Sequence, residues 1–150
     1  MTVETATKEK IVFGVKVIHD YPPVWNNVCL TFNIIPKNVI FAYGDCIYNP
    51  DDIDLPEFLV KHEQVHFKQQ GGTQEGAMLW WGKYLRDPEF RIEQEVEAYG
   101  VQLREMRKLT KNREEWTKML WNLAKSCSGP LYNNAITHTE AMKRILQASK

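Results

Sequence analysis

Apolar positions fall in short, strand-length runs over the first third of the chain and then recur at helical spacing to its end. The pattern predicts an α+β fold, with short antiparallel strands at the N-terminus and a mainly helical remainder. Residues 11–18, Ile11-Val12-Phe13-Gly14-Val15-Lys16-Val17-Ile18, read as a strand or a strand pair, and Asp20-Tyr21-Pro22-Pro23 as a turn. Residues 27–35 are apolar and β-branched enough for another strand. Residues 39–43 and 46–48 flank Gly44-Asp45, which marks a hairpin.

A turn-rich stretch from Asn49 to Asp54 follows, then a helix over about residues 55–70. Asp54 is placed to cap it, Pro56 suits its first turn and Glu57 completes a capping box; Gly71-Gly72 ends it. Phe58, Leu59, Val65 and Phe67 give this helix apolar packing. Four more helical stretches come after. Thr73 caps the first, whose apolar face is Met78, Leu79, Trp81, Tyr84 and Leu85. Arg86-Asp87-Pro88 breaks the chain into the second, over about residues 88–109, with Val96, Tyr99, Leu103 and Met106 at helical spacing. Asn112 with Glu115 caps the third, and Thr137 with Glu140 the fourth. Trp80, Trp81, Trp116 and Trp121 read as core. The 150 residues suit one domain, with residues 1–9 disordered; no repeat, low-complexity tract or linker divides it.

The first of these helices carries the chemistry. His62-Glu63-Gln64-Val65-His66 is an HExxH pentad and holds two of the chain's four histidines. Four residues of helix return to the same face, so both imidazoles can bind one zinc side by side. Glu63 stands beside them, where it can act as general base on a metal-bound water. A catalytic zinc takes a third protein ligand and keeps one position for water. Residues 93–99, Glu93-Gln94-Glu95-Val96-Glu97-Ala98-Tyr99, offer carboxylates at helical spacing. Glu95 and Tyr99 share one face and Glu93 and Glu97 another. Without the pentad upstream, this stretch would read as a solvated acidic face.

An HExxH helix followed by a helical ExxA resembles the gluzincin metallopeptidases, whose third ligand is a glutamate. Glu95-Val96-Glu97-Ala98 fits that register. The string from His62 to Gln70, with Glu95 to Tyr99 and Ser128-Gly129-Pro130-Leu131-Tyr132, is similar to small gluzincin-like proteins of phages and bacteria, over residues 38–146. The resemblance implies a zincin-like metallopeptidase domain with zinc on His62, His66 and Glu95, Glu63 as base, and a peptide or protein substrate. It also implies that a strand beside the metal helix offers its edge to an extended substrate. It places the chain in the cytoplasm, that of a bacterial host if phage-encoded. Larger gluzincins often have an aspartate after the alanine, supporting a ligand histidine; Tyr99 stands there instead, so the outer contacts of the ligands must differ. Tyr132, Tyr99 and His138 are candidates to donate to the tetrahedral oxyanion, with Tyr132 the catalytic candidate among them. Cys46, upstream of the pentad, is a poorer alternative ligand, since Tyr43-Gly44-Asp45-Cys46-Ile47 lacks the motif of peptide deformylases. Metzincins extend the pentad to a third histidine six residues on, after a glycine; position 72 is Gly72 and no GxxH follows.

Charge narrows the partners. Lys+Arg and Asp+Glu both number 19, so the formal charge is zero and gives no pull toward nucleic acid or an anionic membrane. Arg104, Arg107, Lys108, Lys111 and Arg113 alternate with Glu105, Glu114 and Glu115, as on a solvated helix face. No apolar run is long enough to span a bilayer, and no signal-peptide core is present. Three cysteines without CxxC spacing suit a reducing cytoplasm. Two other readings use the same residues: a zinc amidase acting on a non-protein amide, and a metal-stabilised binding or structural protein, phage-associated in one version, without turnover.

Overall fold

The computed structural model describes residues 8–130 and 134–150. Its elements are β1 (Glu9–Val12), β2 (Val15–Ile18), α1 (Trp25–Phe32), β3 (Phe41–Tyr43), β4 (Cys46–Tyr48), α2 (Glu57–Gln69), α3 (Gln74–Arg86), α4 (Pro88–Arg107), α5 (Arg113–Cys127) and α6 (His138–Ala148). The α+β class is as the sequence predicts. Residues 1–7 of the lead expected to be disordered lie outside the described residues, and Glu9 already belongs to β1.

The strands form one sheet in the order β1-β2-β4-β3. Both hairpins are antiparallel, but β2 pairs with β4 in parallel, with Val17 opposite Ile47, so the sheet is mixed where antiparallel strands were expected. Gly44 turns the second hairpin with φ +69°, a region that an L side chain seldom adopts. Val15, Val17 and Ile47 bury one face of the sheet against Leu55 and Val60. The outer strand β1 is almost wholly exposed and carries Glu9 and Lys10, as suits an edge open to water.

One element differs in kind from the sequence reading. Residues 27–35 are not a strand; α1 occupies Trp25–Phe32. Trp25, Val28 and Phe32 lie three and four residues apart on one face and pack against Phe41, Trp81 and Tyr84. That tertiary contact overrides the strand preference of the β-branched residues around them. Asn33 ends α1 in the left-handed conformation, φ 53°.

The start of α2 also differs. Pro56 stands at its N-cap in an extended conformation with no side-chain cap bond, so Asp54 lies outside the helix. A residue before proline is pushed out of the helical region, and Leu55 is accordingly spent on the core. The preceding loop is closed by buried Asn49, whose side chain exchanges two hydrogen bonds with the backbone of Ile53.

Thr73, Asp87, Asn112 and Thr137 each accept backbone N–H bonds at the starts of α3 to α6. Glu115 supplies only half of the expected capping box, because its carboxylate accepts from Thr110. On α3 the inward face is Ala77, Trp80, Trp81 and Tyr84, whereas Met78 and Leu79 are exposed. Trp80 and Trp81 are core as expected; Trp121 is 47% exposed and rests its ring on His138.

Helix α4 is the spine of the molecule, packed on α2, α3, α5 and α6. With α5 and α6 it forms a core around Leu103, Leu120, Cys127 and Ile145. At the crossing with α6, a Cβ on Gly100 would come within 2.6 Å of the Ala148 Cβ and 2.7 Å of its carbonyl carbon. Glycine is required there despite its low helix propensity. Gly100→Ala should therefore destabilise the fold by about 1–3 kcal/mol, the range for overpacking. Denaturant unfolding checks this; an increase in stability, as helix propensity alone would give, contradicts the close crossing.

Candidate metal centre

Helix α2 presents His62, Glu63 and His66 on its buried side, and α4 presents Glu95 across from them. All four are nine-tenths or more buried. The Nε2 atoms of His62 and His66 are 3.2 Å apart. Glu95 reaches both rings, with Oε1 2.8 Å from His66 Nε2 and Oε2 3.6 Å from His62 Nε2. His62, His66 and Glu95 thus point one ligand atom each toward a common space, and a metal ion can be held there. Glu93 and Glu97, on the same helix, are exposed.

Electrostatics show what this costs without a cation. Burial alone would favour the neutral forms. The Glu95 carboxylate outweighs burial at His66 and carries the imidazole pKa up to about 9. Burial likewise opposes ionised Glu95, but His66 and His62 outweigh it and hold the carboxyl well below its usual range. Without a metal, His66 keeps a proton as Glu95's counter-charge. Glu63 is different: burial dominates and raises its pKa, while His62 and His66 pull the other way. A carboxyl so placed is disposed to accept and hold a proton.

Aromatic rings wall the site. Tyr99 packs edge-on against His62, centroids 4.8 Å apart, and Trp80 lies 5.1 Å from His66. His66 Nδ1 meets Gln69 Oε1 at 2.7 Å, while His62 Nδ1 has no hydrogen-bond partner among the described residues. Gln69 and Gln102 escaped the sequence reading. Gln102 lies seven residues beyond Glu95, lines the same cleft, and its buried Oε1 has no hydrogen-bond partner among the described residues. The spacing of Glu95, Tyr99 and Gln102 along one helix face was the signal that could have found it.

The cleft has a volume of about 880 Å³ and opens over the centre. His62, Glu63, His66 and Glu95 line it, with Tyr99 on one wall and residues 34–42 along another. The edge of β3 is not free throughout: Ala42 O accepts from Gln70 and Trp81, and Gly44 N donates to Gln70. Among the described residues, residues 35–40 line the cleft and make no backbone–backbone hydrogen bond, while Asn38 N donates to Asp51 Oδ2 at 2.7 Å.

Other sequence candidates fall away from the centre. His138 is the first residue of α6, meets the Trp121 carbonyl at 2.9 Å and does not line the cleft, which removes it as an oxyanion donor. Tyr132 lies outside the described residues. Cys46 is buried in β4, apart from the ligand group; burial and the neighbouring Asp45 carboxylate push its thiol up to about 11. Burial, then Glu95, raise the Cys127 thiol to about 11 as well. Among the described residues, no helix is long and apolar enough to cross a membrane.

Comparison with protein-family models, curated proteins and solved structures gives no match for this chain. The geometry of the site therefore carries the functional argument.

It makes a sharp distinction among the carboxylates of α4. Glu95→Ala should weaken metal binding beyond the roughly ten- to hundredfold loss typical of an outer partner. Glu93→Ala and Glu97→Ala should cost far less. Competition against a chelator measures all three, and a dominant loss from either exposed glutamate contradicts the assignment.

Proposed function

We propose that this chain is a zinc-dependent metallopeptidase of the gluzincin type. The observation that carries the reading is the convergence of an HExxH helix and a glutamate from a second helix at the floor of an open cleft. The donor set suits zinc: two imidazole nitrogens and one carboxylate, a common catalytic combination. Two nitrogens at ordinary zinc distances in tetrahedral geometry stand about 3.3 Å apart. The Nε2 atoms here are separated by 3.2 Å.

When bound, zinc supplies Lewis acidity and lowers the pKa of a coordinated water toward neutrality. The rest of the chemistry belongs to the chain. Glu63, buried beside the ligands with a raised pKa, accepts the proton of the attacking water and returns it to the leaving amine. Residues 35–40 make no backbone–backbone bond among the described residues, though the Asn38 N–H is held by Asp51, and so can pair with an extended peptide along one wall. Among the described residues that line the cleft, Tyr99 packs its ring against His62, with centroids 4.8 Å apart, and so stands beside the centre. A metal-stabilised structural protein has no use for a buried carboxylate such as Glu63 within a cleft, which favours turnover.

Glu63→Gln tests this directly. It keeps the shape and removes the proton acceptor, so zinc content should stay at the wild-type level. Hydrolysis of a quenched-fluorescent peptide library should fall by at least about a hundredfold. Hydrolysis by the variant at the wild-type rate means that Glu63 is not the base.

A further inference from the structure

We infer that Gln69 is the positioning residue that fixes His66 as an Nε2 ligand; this rests on the metal reading above. Gln69 lies in the last turn of α2, three residues after His66. Its side chain spans two helices. On one side Oε1 is 2.7 Å from His66 Nδ1. On the other, Nε2 is 3.1 Å from the Gln94 carbonyl and 3.4 Å from Glu97 Oε2 on α4.

Those partners settle the direction of every bond. A backbone carbonyl and a carboxylate only accept, so the amide nitrogen of Gln69 must face them. Its oxygen must then face His66. A ring nitrogen opposite an amide oxygen carries the proton, so Nδ1–H donates to Gln69. Nε2 is left to face His62 and Glu95, where the ligand atoms converge. A half-turn of the ring would lose both the Gln69 bond and the ligand position.

The clamp is itself held. Trp80 packs on the His66 ring and donates its Nε1–H to the Gln94 side chain at 2.8 Å. The backbone carbonyl of that same Gln94 receives Gln69. On the other ligand, Tyr99 presents a ring to His62, and His62 Nδ1 has no hydrogen-bond partner among the described residues. Hydrogen-bond control of the imidazoles is therefore concentrated on His66, through a glutamine that binds the pentad helix to the backbone next to the third ligand. Outer partners of this kind set ring orientation and metal affinity.

Two substitutions separate positioning from simple tethering of α2 to α4. Gln69→Met keeps the length and loses both functions. Gln69→Glu keeps the acceptor for His66 but turns a second oxygen toward the Gln94 carbonyl and Glu97. Zinc affinity is read by chelator competition, and the His66 Nδ1 proton by nitrogen-15 NMR of the zinc-loaded protein. Gln69→Met should weaken zinc binding roughly ten- to hundredfold and lose the protected Nδ1 proton. Gln69→Glu should keep that proton and bind within about threefold of wild type, since positioning needs only the acceptor. The inference is overturned if Gln69→Glu is as weak as Gln69→Met, the result tethering alone would give, or if Gln69→Met binds like wild type. If Gln69→Met does not fold, Gln69→Glu decides: near wild-type affinity supports the inference and a loss beyond tenfold overturns it. Wild-type protein that takes up no zinc would instead defeat the metal reading, and the inference with it.

Discussion

The carboxylate of Glu95, pressed against two imidazoles in the seam between α2 and α4, is the contact on which the rest depends. Burying a carboxylate in an apolar interior is costly unless a cation and hydrogen bonds compensate it. Among the described residues, the imidazoles of His62 and His66 face this carboxylate, and Glu95 overcomes burial to raise the pKa of His66 to about 9. The arrangement is a poor one for a chain that needs only stability, since apolar residues of similar volume would fill the seam at less cost. It is a good one for a divalent cation, which supplies the missing charge and relieves His66 of its proton.

Several features of the fold serve that seam. Gly100 lets α4 and α6 cross closely and so anchors α4 from behind. Asp87 caps its start, and buried Arg91 ties that start to the end of α3 by donating to the carbonyls of Tyr84 and Leu85. Gln70, just past α2, binds β3 through Gly44 N and Ala42 O and so sets the sheet against the metal helix. That leaves residues 35–40 as the open wall of the cleft. Position along the chain is thus converted into a buried group of two imidazoles and a carboxylate at the floor of a cleft, with Glu63 beside them.

Much of this was legible in the sequence where the cause was local. The pentad fixes its own geometry, because four residues of helix bring two histidines to one face. Thr73, Asn112 and Thr137 announce helix starts through bonds made within one turn. The register of Glu95 against Glu93 and Glu97 follows from helical spacing and is reproduced by their burial. Legibility ended where distant packing decided. Residues 27–35 carry strand preference but were recruited as a helix by Phe41, Trp81 and Tyr84. The parallel pairing of β2 with β4 joins strands nearly thirty residues apart and leaves no local mark. Gln69 looks like any solvent-facing helix residue until α4 is placed beside it.

X-ray absorption at the zinc edge, on protein purified without added metal, tests the central claim most directly. One zinc per chain is expected, in a shell of nitrogen and oxygen only: two imidazoles, one carboxylate and one oxygen from water. Absence of bound metal, a sulfur ligand from Cys46 or Cys127, or four protein ligands with no place for water would contradict a catalytic centre built on His62, His66 and Glu95.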